Sequence, residues 1–380
     1  MKVAICGYPP LAAQIIAPLK NLGVECNYFV RDFISSHGEE NFNLPTTIKL
    51  VNFFEFRRLI DSGALDGLII YEGIATPFTF GVLKTCKLYN IQTVGVVNSF
   101  FFGQANGIYW LDTEKAFLPY MEANLIDSCN LNCKGCTHYS NLFSDDDFYS
   151  LENFARDIRR VADTVDVVTF RLLGGEPLKL KNLDQYIKVA RKFLPKTDLR
   201  LVTNGLLIPS APQSLFDALR DNKIILDISF YPPTMKIFNE IKTLVEKNNV
   251  MCPGVSSKIN PVEYFNVFLS LQGGHNPLRS RAVCNNDFCR LIRDGKIYKC
   301  PLDALGYRFA ERFGLKDFPA SVGVDIFAKN FPTLLEQLRD TIELCTWCNE
   351  TRRFIPWQPT NKPVVEDWLA NPAEAEKLLS

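Results

Sequence analysis

A chain of 380 residues can form two or three domains, each with its own hydrophobic core. Hydrophobic residues make up 47% and charged residues 22%, and 42 basic side chains balance 42 acidic ones. A net charge of zero argues against a broad electrostatic surface for nucleic acid or an anionic membrane. Because the first ten residues, MKVAICGYPP, lack a signal peptide's apolar region, we expect a cytoplasmic protein.

Residues 1–112 alternate between strand and helix patterns, which predicts a small α/β, Rossmann-like domain around a parallel sheet. The predicted strands are 2–6, 24–30, 67–71 and 91–97, and the predicted helices are 11–22, 54–65 and 80–88. The first turn, Gly7-Tyr8-Pro9-Pro10, is not a glycine-rich dinucleotide loop. The uncharged stretch 88–110 is broken by amides and glycines, so we interpret it as strand and loop, not as a membrane helix.

A second α/β series occupies residues 113–278. Strands are predicted at 121–127, 165–173, 199–203, 224–230 and 250–255, and helices at 151–161, 183–193, 212–219 and 235–247. A strand and a helix recur about every 30 residues, as in βα units. Five or six units predict a partial (β/α)6 barrel. A small cysteine-rich subdomain over 279–350 and a tail over 351–380 follow.

Cysteine is the most informative residue type, with 12 Cys against 3 His. A reducing cytoplasm disfavours disulfides, and so few histidines disfavour mixed Cys/His zinc sites. We predict inert buried thiols at four apolar positions, Cys6, Cys26, Cys86 and Cys252. The other eight fall into two groups, and two thiolate-ligated clusters would use about seven of them.

The first group is Cys129-Asn-Leu-Asn-Cys133-Lys-Gly-Cys136, directly after the first predicted barrel strand. A cubane cluster has four irons and normally takes four thiolates. Three cysteines on one loop leave one iron open, which the methionine amine and carboxylate of S-adenosylmethionine can chelate. The alternative is a structural zinc site with His138 as the fourth ligand.

This motif resembles the signature of the radical S-adenosylmethionine (radical SAM) superfamily. Gly174-Gly175-Glu176-Pro177 is similar to the family's GGEP segment, whose backbone and carboxylate bind the cofactor's amino group. Thr203-Asn204-Gly205 is similar to its TNG segment, and Ser229 to the polar residue that meets the ribose. Gly135 departs from the aromatic or apolar residue that is common there.

The resemblance implies a 4Fe–4S cluster, S-adenosylmethionine and a 5′-deoxyadenosyl radical that abstracts hydrogen. It also implies a reducing electron donor such as flavodoxin or ferredoxin. It identifies no further catalytic residue.

The second group is Cys284, Cys289, Cys300, Cys345 and Cys348. Asp294-Gly295 predicts a two-residue hairpin that pairs Arg293 with Lys296 and sets Cys289 opposite Cys300. The layout resembles the twitch subdomain, a shortened SPASM domain, which implies an auxiliary 4Fe–4S cluster. The family's spacing favours Cys284 as first ligand, whereas the hairpin geometry favours Cys289. A zinc ribbon is the alternative for this group.

The stretch from Cys345 through Phe354-Ile-Pro-Trp357 to Trp368 resembles radical SAM proteins linked with polysaccharide pathways. We therefore predict an oxidoreductase that dehydrogenates or epimerises a small carbohydrate or nucleotide sugar, with a peptide- or protein-modifying maturase as the alternative. Cys289 is a candidate hydrogen donor if Cys284 is the ligand. Trp347 and Trp357 are predicted to shield the second cluster. No nucleic-acid or membrane partner is expected.

Overall fold

The computed structural model describes residues 1–7, 12–32, 44–71, 77–97, 108–112, 114–256, 259 and 261–377. The chain divides into two compact units: Met1–Tyr120 with Val165–Val168, and Met121–Thr164 with Thr169–Ser380. Within the described ranges, no helix combines the length and the apolar character needed to cross a membrane.

The first unit is built on a six-stranded sheet in the order β3-β2-β1-β4-β5-β6. Strands β1 to β5 are parallel and β6 is antiparallel to β5. The strands are β1 Lys2–Cys6, β2 Glu25–Val30, β3 Lys49–Val51, β4 Gly67–Ile70, β5 Val94–Val97 and β6 Ile108–Trp110, and the helices are α1 Ala12–Asn21, α2 Phe53–Asp61 and α3 Pro77–Leu88. This agrees with the predicted α/β class.

Two apolar cores hold this unit together. Cys6 and Cys86 belong to one core and Cys26 to the other, so these three thiols are buried as predicted. Burial raises the pKa of Cys26 and of Cys86 to about 12, which makes both thiols unreactive near neutral pH. Residues 8–10 of the predicted first turn and residues 98–107 of the uncharged stretch lie outside the described residues.

A second sheet has seven strands in the order β10-β9-β8-β7-β12-β13-β14, and β11 pairs with β15 in a separate antiparallel sheet. The strands are β7 Ala116–Ile126, β8 Val165–Gly174, β9 Asp198–Thr203, β10 Ile225–Ile228, β11 Tyr264–Leu269, β12 Leu291–Arg293, β13 Lys296–Tyr298, β14 Val324–Asp325 and β15 Cys348–Pro356. The helices are α4 Leu151–Thr164, α5 Leu183–Phe193, α6 Gln213–Asp221, α7 Pro232–Lys236, α8 Phe238–Lys247, α9 Pro277–Ala282, α10 Pro301–Phe313 and α11 Phe331–Leu334.

Strands β8, β9 and β10 are parallel, and helices α4, α5 and α6 connect or follow the strands in the predicted alternation. Helix α4 buries Phe154, Ile158 and Val161, three residues at helical spacing. Phe154 stacks on Phe170 of β8, with ring centroids 6.4 Å apart. The helices therefore cover one face of the parallel strands, and the carboxyl ends of these strands carry the predicted cofactor segments.

Two predicted elements differ from the structure. Residues 250–255 do not form a strand: Pro253–Val255 is a turn of 3-10 helix, since Pro253 has no N–H to donate and Gly254 follows it. The predicted helix 235–247 is divided at Ile237 into α7 and α8. The predicted hairpin is confirmed, because Arg293 pairs with Lys296 around Asp294-Gly295.

Candidate cofactor and metal site

The loop that carries the first three cysteines leaves β7 and turns tightly. Asn132 has φ 49° and Gly135 has φ 67°, so the chain reverses between the cysteines. Cys133 is buried, and Cys129 and Cys136 are half-buried. Burial raises the pKa of the Cys129 thiol to about 12; a hydrogen bond from the Leu131 N–H opposes the rise and the nearby Cys136 adds to it. Metal binding must therefore displace protons from this loop.

The glycine pair after β8 is required by a close approach of two backbones. A Cβ atom at Gly174 would lie 2.1 Å from the Ile126 oxygen, and one at Gly175 would lie 2.0 Å from the Ser128 oxygen. Because neither residue has a side chain, the two backbones can form hydrogen bonds. The Gly175 N–H donates to Ile126 O at 2.7 Å, and the Glu176 N–H donates to Ser128 O at 3.0 Å. The predicted GGEP segment therefore lies directly beside the start of the cysteine loop.

Glu176 joins this segment to the end of β9. Its carboxylate accepts hydrogen bonds from the Thr203 hydroxyl at 2.7 Å, the Asn204 N–H at 2.8 Å and the Leu178 N–H at 3.0 Å. Burial raises the pKa of Glu176 to about 7 although these donors act to lower it. Pro177, next in the chain, is also buried. The site thus holds a fully buried carboxyl group whose charge is only partly compensated.

Asn204 connects the end of β9 back to the cysteine loop. Its side-chain N–H donates to Asn130 Oδ1 at 2.6 Å and lies 3.7 Å from Cys129 Sγ. Ser229, after β10, donates its N–H to Thr203 O at 2.9 Å. The residues predicted to bind the cofactor therefore lie at adjacent strand ends around one loop.

His138 is packed behind the loop. Its Nδ1 is 3.0 Å from Asn124 Oδ1, and its Nε2 is 4.0 Å from Glu122 Oε1. Burial lowers the pKa of His138 to about 4, which keeps the ring neutral near pH 7. It is held by neighbouring side chains of β7.

The C-terminal part of the chain returns to the cysteine loop, which the sequence did not predict. We call residues 357–368 the return segment. The Trp357 indole N–H donates to Cys133 Sγ at 3.1 Å, and the Trp368 indole N–H donates to Cys136 O at 2.8 Å. The prediction that Trp357 shields the second group was wrong. No local pattern reveals a contact across 224 positions of sequence.

In the second group, four cysteines surround one small cavity of about 30 Å³. Its lining includes Cys284, Cys300, Cys345 and Cys348, together with apolar residues such as Phe268 and Leu344. Cys300 precedes the first residue of α10, Cys345 lies in a 3-10 helix over Glu343–Trp347, and Cys348 is the first residue of β15. Burial raises the pKa values of Cys284, Cys300 and Cys348, with neighbouring thiolates adding to the rise.

Buried cations lie beside this cavity. Lys299 is 3% exposed and forms ion pairs and hydrogen bonds with Asp287 Oδ1 at 2.9 Å and Leu338 O at 3.1 Å. Arg281 binds the other oxygen of Asp287 at 2.9 Å, and the buried Arg290 donates to the Lys299 and Leu338 carbonyls at 2.7 Å. At Cys284, Lys299 lowers the thiol pKa, but Asp287 raises it by more.

Cys289 is not among the residues that line this cavity. Cys289 lies just before β12. The carbonyl oxygen of the next residue, Arg290, accepts a hydrogen bond from the Glu122 N–H at 2.8 Å. Burial raises the pKa of Cys289, Glu122 adds to the rise, and Arg171 opposes it. Cys300 and Cys284 add smaller contributions, so Cys289 lies near charged residues of β7 and β8 and near two of the other thiols, although it does not line their cavity.

Within the ranges that the structure describes, no three His, Cys, Asp or Glu side chains form a group placed to hold a metal ion. The sulfur ligands of a 4Fe–4S cubane are separated by the width of its iron–sulfur core, so they lie further apart than the ligands of a single metal ion. Three thiols on one loop and four around one cavity are the donor sets that such clusters take.

Comparisons with known proteins identify the class of this domain. Residues 123–249 match the model of the Radical SAM superfamily. The chain therefore contains a radical SAM superfamily domain.

Among curated relatives, the GTP 3',8-cyclase of Syntrophomonas wolfei subsp. wolfei is 35% identical over 114 residues, which are 28% of this chain and 32% of the relative. The chain spans about a third of the length of the first such relatives. Streptococcus suis SuiB bound to S-adenosylmethionine has a TM-score of 0.31 and 19% identity, covering 36% of this chain and 33% of that one. BtrN in complex with AdoMet and 2-DOIA has a TM-score of 0.36 and 13% identity, covering 62% and 94%.

Proposed function

We propose that this chain is a radical SAM enzyme with two 4Fe–4S clusters. Cys129, Cys133 and Cys136 would hold the cofactor-binding cluster, and Cys284, Cys300, Cys345 and Cys348 would hold an auxiliary one. The observation that carries the proposal is the hydrogen-bonded link from the cysteine loop through Asn204 to Glu176. When bound, the first cluster and S-adenosylmethionine would supply a 5′-deoxyadenosyl radical.

The chain's own residues support binding of the cofactor's methionine end. Glu176 is a buried carboxyl group with a raised pKa, and its three donors are neutral groups. An ammonium group beside it would compensate the negative charge and lower that pKa. Gly174, Gly175, Pro177, Thr203 and Ser229 would shape the same cofactor site through their backbone positions.

A polar substrate is favoured by the charged residues on the other face of the parallel strands. Phe170 and Leu172 are fully buried on the helix side of β8, so Arg171 between them points away from α4. There it pairs with Asp227 of β10 at 3.2 Å. Together with the buried Glu122 and with Cys289, this wall suits a hydroxyl-rich or charged molecule such as a carbohydrate or nucleotide sugar.

Cys289 favours epimerisation over dehydrogenation. A thiol that does not line the cavity of the auxiliary ligands is able to return a hydrogen atom to a substrate radical, and the external electron donor would then reduce the thiyl radical with uptake of one proton. In dehydrogenation, the substrate radical would instead lose one electron to the auxiliary cluster and one proton to solvent.

The test uses the full chain, reconstituted and assayed without oxygen with reductant and S-adenosylmethionine. Nucleotide sugars, sugar alcohols, GTP and peptides are offered separately, and 5′-deoxyadenosine is measured. We expect formation to rise with a carbohydrate class and to be absent in Cys133→Ala. In D₂O, epimerisation leaves one deuterium at the inverted carbon, whereas dehydrogenation leaves none there.

A rise with peptides alone would replace the carbohydrate assignment by a peptide-modifying one. A rise with GTP alone would also overturn it. A chain that binds zinc and no iron under the same conditions would contradict the whole proposal.

A further inference from the structure

The return segment follows the cysteine loop closely. The Lys134 N–H donates to Gln358 O at 2.9 Å, and the Thr360 N–H donates to Asn132 O at 2.8 Å. Cys133 and Pro359 form an isolated antiparallel bridge. The loop is thereby paired along its length with a segment that lies more than 220 positions later in the sequence.

Side chains fasten the two ends of this pairing. The Lys134 ammonium lies 3.5 Å from Asp367 Oδ1, and the Trp368 indole N–H donates a hydrogen bond to Cys136 O. A Cβ atom at Gly135 would lie 2.6 Å from Val267 Cγ1 and 2.9 Å from Asp367 O. The return segment thus occupies the space that a side chain at position 135 would need.

Among these contacts, the one from Trp357 reaches a sulfur atom. Its N–H lies 3.1 Å from Cys133 Sγ, and its ring packs 5.9 Å from Tyr231, centroid to centroid. Burial raises the pKa of Tyr231, and the three loop cysteines add to the rise, so this ring also lies near the thiols. The Trp357 backbone N–H is held by Glu263 O at 2.8 Å, which fixes the residue in place.

We propose that the return segment is part of the radical-generating site and that Trp357 raises the reduction potential of the first cluster through its N–H···S bond to Cys133. This inference rests on the proposed cluster at the loop. Reduction adds negative charge to the ligand sulfurs, and a donated N–H stabilises that charge more in the reduced state. Trp357 is a positioning and tuning residue, because it acts through Cys133.

The test measures midpoint potentials by electron paramagnetic resonance on the reconstituted full chain. The first cluster is recognised because its signal changes when S-adenosylmethionine is added. We expect Trp357→Phe to keep about eight irons per chain and to shift this midpoint to a more negative value. A threefold to tenfold loss in the reduction equilibrium is expected, where tenfold corresponds to 59 mV for one electron.

Trp368→Phe is the matched control, because it removes an equivalent indole that bonds a carbonyl and not a sulfur. An equal potential shift in both variants would overturn the proposal, since loss of packing would then explain it. An unchanged midpoint in Trp357→Phe would overturn it as well.

A second measurement does not depend on how the variants fold. In wild-type protein with ¹⁵N-labelled indoles, a hyperfine coupling from indole nitrogen to the S-adenosylmethionine-responsive cluster supports the bond, and its absence contradicts it. If no cluster responds to S-adenosylmethionine in the wild type, the proposed function itself fails, which separates the two results.

Discussion

The two cysteine groups differ in how they are assembled. The first comes from one short loop, and polar groups from the ends of β8 and β9 surround it. The second is drawn from separate elements around a small cavity with buried cations beside it. Three ligands beside an undercompensated carboxyl group suit a cluster that binds a charged cofactor. Four ligands around one small cavity suit a cluster that binds no further cofactor.

The largest expected effect separates the two groups. Cys133→Ala should abolish formation of 5′-deoxyadenosine and lower the iron content from about eight to about four per chain, because the auxiliary ligands are untouched. Iron analysis and product chromatography measure both quantities. Cys252→Ala, which removes an equally buried thiol outside both groups, is the control. Loss of all iron in Cys133→Ala would show that the groups are not independent.

The composition of the second group is tested next. Cys284 lines the cavity and Cys289 does not, so Cys284→Ala should lose about four irons and Cys289→Ala should keep about eight. Each variant is reconstituted without oxygen and its iron and sulfide are counted. The reverse pattern would restore the ligand choice that the hairpin geometry favoured.

The two regions should also respond to pH in opposite directions. Burial raises the pKa of Glu176 from 4.5 to about 7, so its stabilising contribution is complete below pH 4.5 and is lost as pH rises through 7. At about 1.4 kcal/mol per unit of pKa shift, ionisation of Glu176 lowers the free energy of unfolding by about 3 kcal/mol. Burial acts to raise the pKa of Asp287, but Lys299 and Arg281 bring it below its ordinary value, so its contribution is present above pH 3.8 and is lost as pH falls further.

Urea unfolding of the metal-free chain between pH 5 and 8 measures the contribution of Glu176, because that of Asp287 is constant over this range. Glu176→Gln should flatten the fall in unfolding free energy, whereas Asp287→Asn should lower it by a constant amount across the range. Glu152→Gln, an exposed change on α4, is the control. A wild-type curve that rises through this range, with Glu176→Gln unchanged, would contradict the assignment for Glu176.

The smallest expected effect concerns the crowding at Gly135. Gly135→Ala should destabilise the chain by about 1–3 kcal/mol more than Gly274→Ala. Both glycines have φ near +70°, but a Cβ at Gly274 meets nothing within 4 Å. The difference in unfolding free energy therefore isolates the contact with Val267 and the return segment. Equal costs for the two variants would mean that the segment yields to the added methyl group.

The sequence predicted the parts of the site that depend on local pattern. Short motifs follow three strands: the three cysteines come after β7, Glu176 after β8 and Asn204 after β9. The hairpin is predicted by the two residues Asp294-Gly295 alone. The α/β class was also predicted. These features need no knowledge of distant segments.

The remaining features depend on contacts between distant positions. Pro253 overrides the strand periodicity at 250–255, and hairpin register alone could not show that Cys289 lies outside the lining of the cavity. The bond from Trp357 to Cys133 joins segments that no periodicity relates. Short local motifs therefore predict which residues end neighbouring strands more reliably than they predict which distant segments contact them.

The pairing of residues 132–136 with residues 357–368 has a consequence for biosynthesis. The return segment is translated more than 220 residues after the loop, so the loop leaves the ribosome without the segment that pairs with it. A cluster loaded onto the nascent polypeptide would meet bare thiols and oxygen. Iron and sulfide that are delivered after translation would instead reach a cysteine loop already paired with the return segment.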